Sequence, residues 1–324
     1  MEKNRVKEGI SMNKWIKGIL FSLLAFMSLV PKAAQANEEA IRIGVVQYVE
    51  HEALDAVLEG FQETLNASAY GERIEWDVNN ASGVQATLQS MSEAVARNND
   101  IIFAIATPAA QTLAVTEQEK PIFIAAVTDP VEAGLAESME HPGRNVTGTS
   151  DMAPIDEQVD LLVRNFPDAK KVGLIYNSSE VNSQIQADRA IELLEGQGLS
   201  TKVATVISTN DIAQGLNSLM DEVDALFMVT DNTIDSAISL VGDMAKEAGI
   251  PTIGSSAEVV ETNGLATVSN SYRDYGVQTA EMVIRMLDED LNPADMPIEL
   301  GNAFEIIVND AFAEALNIDP ASIK

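Results

Sequence analysis

The chain has 324 residues, with Lys+Arg 20 against Asp+Glu 50 and a formal net charge of -30. That balance excludes nucleic acid and anionic membrane surfaces as partners, because no basic footprint exists to neutralise phosphates. Cysteine is absent and the histidines are His51 and His141, which removes disulfide scaffolds, thiolate zinc sites, cysteine nucleophiles and three-histidine metal sites, so no metal or other cofactor is expected.

At the N-terminus, Lys14 and Lys17 precede an apolar run at 18–30, Pro31 breaks it, and Ala34-Gln35-Ala36 offers small residues for a signal peptidase. The expectation is a cleavable export signal over 1–36, with Met12 competing with Met1 as the start. The run is short of the roughly 20 residues that cross a bilayer. No cysteine follows it, so a freely diffusing periplasmic product, not a lipoprotein, is expected. Cleavage takes away six basic and two acidic residues and leaves -34 on the rest. That acid excess reads as surface solvation with little bearing on any cleft.

Beyond Ala40, short apolar runs alternate with amphipathic stretches, twice over. Strands are expected at 41–46, 73–78, 101–105 and 122–126, with helices at 53–65, 84–96 and 109–116 between them. The second round places strands at 172–176, 201–207, 225–229 and 252–254, with helices near 183–194, 212–220 and 234–248. Unbroken apolar strands such as Ile101-Ile102-Phe103-Ala104-Ile105 suit parallel sheets covered on both faces. The class is α/β with two similar lobes. The polar segment 145–154 reads as the first crossing between them, and a second falls near 265–272 before a long helix at 275–287 and a final strand and helix within 305–318. One lobe is then 37–150 plus about 272–296, the other 151–271 plus about 297–324.

Ligands of open parallel sheets bind beyond the carboxyl ends of the strands, where helix N-termini present free amides. The third strand end, Thr107-Pro108-Ala109-Ala110-Gln111, offers a hydroxyl, a proline at a helix start and small residues that leave amides open, a seat for a carboxylate or an ordinary helix start. The fourth, Val127-Thr128-Asp129-Pro130, offers Thr128, while Asp129 serves either the cleft or its own helix. In the second lobe Tyr176-Asn177-Ser178-Ser179-Glu180 places polar Asn177, Ser178 and Glu180 after a buried strand. Asp231, in Thr230-Asp231-Asn232-Thr233, is either the partner of a ligand ammonium or a helix cap. At the first strand end, Gln47-Tyr48-Val49-Glu50-His51 gathers scarce aromatic and histidine residues, with Tyr48 suited to stacking and Gln47 to polar contact. No phosphate loop, nucleophile elbow or metalloprotease motif occurs, so no catalysis is expected; the rival enzyme reading is a secreted hydrolase or racemase-like protein using acids at strand ends.

From about 41 to 318 the chain resembles the tryptophan/tyrosine-type substrate-binding proteins of ABC transporters, in the type I periplasmic-binding-protein group. The resemblance rests on Gln47-Tyr48-Val49-Glu50-His51, Thr107-Pro108-Ala109-Ala110-Gln111, Val127-Thr128-Asp129-Pro130-Val131, Asn145-Val146-Thr147-Gly148 and Tyr176-Asn177-Ser178-Ser179-Glu180. It implies two Rossmann-like lobes joined by a three-strand hinge, and a monomer that captures an amino-acid-like solute and delivers it to a membrane permease. By the same resemblance the ligand carboxylate falls to Thr107, Ala109 and Thr128, and its ammonium to Asp231. The alternatives are another small solute, such as a branched-chain amino acid, an amide or a nucleoside, or a sensor that feeds a signalling receptor.

Overall fold

The computed structural model describes residues 39–301 and 303–324; the expected export signal and its cleavage site lie outside them. The first round forms β1 (Ile41–Gln47), α1 (Glu52–Ala67), β2 (Ile74–Asn80), α2 (Gln85–Asn98), β3 (Ile101–Ile105), α3 (Thr107–Thr116), β4 (Ile122–Val127) and β5 (Val146–Ser150). Every residue of β3 and β4 is buried, as unbroken apolar strands in a sheet covered on both faces must be. The second round forms α4 (Ile155–Asn165), β6 (Lys171–Asn177), α5 (Val181–Gly196), β7 (Ser200–Val206), α6 (Ile212–Met220), β8 (Ala225–Met228), α7 (Asn232–Asp235), α8 (Ile238–Ala248), β9 (Thr252–Gly254), α9 (Ala257–Asn263) and β10 (Ala266–Ser269). The chain closes with α10 (Tyr272–Glu289), β11 (Glu299–Leu300), β12 (Glu305–Val308) and α11 (Asp310–Ala315).

Two six-stranded sheets result, ordered β11-β5-β4-β3-β1-β2 and β12-β10-β9-β8-β6-β7. All pairings are parallel except β10 with β12. This is the expected fold: two doubly wound lobes. In each sheet the strand order reverses once, between β1 and β3 and between β6 and β8, and such switch points open the crevices where ligands bind.

The structure redraws several boundaries. Half of the segment 145–154 is strand: Val146–Ser150 pairs with β4, and 151–154 follows it before α4. Helix α4 was not anticipated, although Ile155, Val159 and Leu162 repeat at helical spacing and are buried. The expected helix at 234–248 is broken: Asp231 caps the one-turn α7, and α8 starts afresh after Ala237. Helix α9 is a further short helix, between β9 and β10, beyond those the sequence pattern predicts. Glu299–Leu300 pairs with β5 and so belongs to the first-lobe sheet.

Helix α10 returns to the first lobe and lies along α1. The two approach closely because both contacts are glycines: a Cβ on Gly60 would strike the Arg273 carbonyl, and one on Gly276 the Val57 carbonyl. Beneath α1, Phe61 stacks on Phe103 with centroids 3.8 Å apart, fixing the helix against β3. The three crossings converge on two tyrosines. Tyr272 donates to Asp151 Oδ2 of the first crossing at 2.5 Å, and Tyr275 donates to Asn270 Oδ1 of the second at 2.8 Å. Their rings meet edge to face, and Gly301 of the third crossing packs on the Tyr275 ring without room for a side chain.

Candidate functional site

Parallel register brings the strand ends level, since Gln47 pairs with Ile105 and Ile105 with Ala125. Tyr48, Ala106 and Ala126 therefore share one edge, facing the second lobe. That edge is strained at non-glycine positions: Ala106 has φ 81° and Ala126 φ 55°, and Ser255, just past β9 in the facing lobe, has φ 59°. Such left-handed backbone costs roughly 1–3 kcal/mol per residue and clusters where function needs it. Ala126 falls where the β4–β5 register shifts.

Thr107 opens α3, with Pro108 next. In the first turn only Thr107 and Ala109 can present free amides, since Pro108 has none and Ala110 donates to the Ala106 carbonyl. The Thr107 hydroxyl is buried and has no hydrogen-bond partner among the described residues. Hydroxyl, two amides and the positive end of the helix dipole are groups with which an anion can pair.

The remaining expected residues divide sharply. Tyr48 is buried on the first-lobe edge. Burial and then the charges of Glu180 and Asp231 across the cleft push its hydroxyl up to about 12. Thr128 accepts from Gln186 Nε2 of the second lobe at 3.0 Å. Gln186 in turn accepts from Thr230 N at 3.1 Å, so a hydrogen-bonded clasp spans the lobes. Gln47 instead serves its own lobe, donating to Asp55 Oδ1 at 2.7 Å and the Val49 carbonyl at 2.9 Å. Asp129 caps its own turn, accepting from Val131 N and Glu132 N at 3.0 Å. Ser178 is exposed and meets only the Val206 carbonyl, at 3.5 Å.

At the second-lobe switch point the expected polar residues fill the crevice themselves. Asn177 N donates to Asp231 Oδ2 at 2.6 Å, and Ile234 N to Asp231 Oδ1 at 2.8 Å. Asn177 Nδ2 donates to Thr233 Oγ1 at 2.7 Å. Glu180 accepts from the Asn232 and Thr233 amides at 3.2 Å and from both their side chains. Asp231 is 0% exposed and caps α7, which is one of the two roles the sequence left open for it, and each of its oxygens accepts one backbone amide.

The carboxylates that remain unpaired lie elsewhere. Asp235 accepts from Ser255 Oγ at 3.0 Å through Oδ1, while its buried Oδ2 has no partner. Asp151 Oδ1 is also buried and unpartnered. Burial raises both groups; the Asp231 charge adds to the rise of Asp235, and the Tyr272 and Thr128 hydroxyls moderate that of Asp151. Asp231 is pushed up to about 7 by burial and then by Glu180. The acid excess is thus not confined to the surface: four carboxylates are buried at the cleft and hinge without a lysine or arginine paired to them. No metal-ligating group of three occurs among the described residues. Sequence reading missed Asp235, which looked like the interior of a helix, and Asp151, which looked like hinge turn. Gln186 was equally hidden, as one polar residue on an amphipathic helix.

The chain is similar to known proteins over most of its length. A tyrosine-binding protein of Clostridioides difficile is 38% identical over 283 residues, 86% of this chain and 82% of that protein. The structure of an ABC domain from Streptococcus pneumonia in complex with L-Trp superposes with a TM-score of 0.83 at 35% identity, covering 86% of this chain and 95% of that one. The ligand-free, open structure of a Clostridium difficile substrate binding protein with adhesive properties gives a TM-score of 0.66 at 37% identity, covering 86% and 96%. Here the two lobes are joined directly by the hydrogen bond from Gln186 to Thr128. Among the described residues no helix is long and apolar enough to cross a membrane. The sequence profile of the ABC transporter substrate binding proteins matches residues 42–321, and the chain belongs to that family.

Proposed function

We propose that this protein captures an aromatic amino acid between its lobes outside the cytoplasm, in the periplasm after removal of an N-terminal signal, and hands it unchanged, as a monomer, to the permease of its ABC transporter. The observation that carries the reading is a pair of buried polar atoms without partners, one in each lobe. Thr107 Oγ1 lies unpartnered beside the free amides of α3, and Asp235 Oδ2 is a buried acceptor without a donor among the described residues. An α-carboxylate answers the first need and an α-ammonium the second, and a buried polar group left unmatched costs about 1–3 kcal/mol. The relatives named for tyrosine and bound to L-Trp support an aromatic side chain.

A thermal-shift screen of the amino acids tests it. A true ligand at a hundredfold excess over Kd stabilises by about 2.7 kcal/mol. Asp235→Asn removes the charge but keeps an acceptor for Ser255, and it should weaken amino-acid binding at least tenfold by calorimetry. If no amino acid shifts the melting temperature, the reading is wrong.

A further inference from the structure

The two switch points differ in a way that orients the ligand, on the amino-acid reading above. The second-lobe crevice is closed by its own side chains, Glu180, Asp231 and Thr233, whereas in the first lobe Tyr48 and His51 follow β1 and the Thr107 seat follows its sheet neighbour β3. With the carboxylate at α3, the side chain of the ligand can extend toward β4 or toward β1, the two neighbours of β3. Toward β4 the way is taken by the clasp, because Thr128 is bonded to Gln186. The β1 side is where aromatic and unpaired polar groups stand.

There His51 follows the strand end, its ring beside the Asn232 side chain of the facing lobe. Both ring nitrogens are buried; the Asn232 side chain is the polar neighbour of the ring, and neither nitrogen makes a well-formed hydrogen bond among the described residues. Buried imidazole nitrogens are ordinarily paired. Asp235, which also carries an unpartnered oxygen, lines the same interlobe cavity of about 360 Å³ as His51. Burial lowers the imidazole to about 4, so at neutral pH it is uncharged, with one nitrogen a donor and the other an acceptor.

We propose that His51 is the specificity-determining residue of the site, its imidazole pairing with the O–H or N–H borne by the ring of the bound aromatic amino acid while Tyr48 lies beside that ring. Phenylalanine has the same shape as tyrosine without the donor, and it leaves the imidazole unmatched. A site built to pair a substrate hydroxyl discriminates against the analogue lacking it.

The experiment is calorimetric titration of the wild-type protein, His51→Phe and His51→Gln with L-tyrosine, L-tryptophan and L-phenylalanine. The wild type is expected to prefer tyrosine or tryptophan over phenylalanine. In His51→Phe that ratio of affinities should fall by about tenfold, and His51→Gln, which restores a donor and an acceptor, should recover part of it. An unchanged ratio in His51→Phe, whether every affinity falls alike or none does, overturns the assignment alone, because His51 would then be only a contact between closed lobes. If the wild type binds none of the three, the aromatic amino-acid reading fails and the assignment falls with it.

Discussion

The clasp between the lobes yields the sharpest test of how closure sets affinity. Thr128→Val removes the hydroxyl that accepts from Gln186 Nε2 at 3.0 Å and keeps the shape of the side chain. Gln186→Leu removes the other partner. Both also touch bonds that do not depend on closure: Thr128 faces Asp151, and Gln186 accepts from Thr230 N at 3.1 Å within its own lobe. Those losses act on stability in open and closed forms alike, whereas the Thr128–Gln186 bond exists only when the lobes meet. A neutral buried hydrogen bond contributes about 0.5–1.5 kcal/mol net. Ligand affinity, which is linked to closure, should therefore carry a coupling energy of that size between the two positions, a factor of about 2–13. The assay is a double-mutant cycle on Kd by calorimetry, with the Tm of each unliganded variant recording the separate cost to stability. Single-variant effects on affinity that simply add, with no coupling beyond about 0.3 kcal/mol, would refute a clasp in the liganded state.

Two further outcomes follow from the buried acids and the helix crossing. Asp231 has a folded pKa of about 7, above the roughly 3.9 of an unfolded chain. Between those values the folded state holds more protons, so this group makes the unliganded protein lose stability as pH rises from about 4 to 7, with no further change above; Tm should fall across that window and fall less in Asp231→Asn, and equal slopes would count against the burial argument. Gly276→Ala gains roughly 1 kcal/mol of helix propensity but drives a Cβ into the Val57 carbonyl. A backbone clash has no rotamer to relieve it and costs roughly 1–3 kcal/mol, so Tm should drop by a few degrees, and a rise would show that α1 and α10 can separate freely.

The sequence determined the class of the fold and the places to look. Apolar runs such as 101–105 and 225–229 suit central strands of covered parallel sheets, and their regular alternation with amphipathic stretches points to two similar lobes. Thr107-Pro108-Ala109 announced a helix start because proline at the first turn and small neighbours are local signals. The tertiary structure decided which polar residues are free. Asp231 and Asp235 are four positions apart and alike in composition. Yet the first is occupied by the Asn177 and Ile234 amides, while the second keeps an oxygen with no partner. The same holds for Gln186, Asp151 and His51, whose polar neighbours Thr128, Tyr272 and Asn232 lie 58 or more residues away in the chain. Hydrogen-bond saturation is a property of three-dimensional neighbours, and no local pattern encodes it.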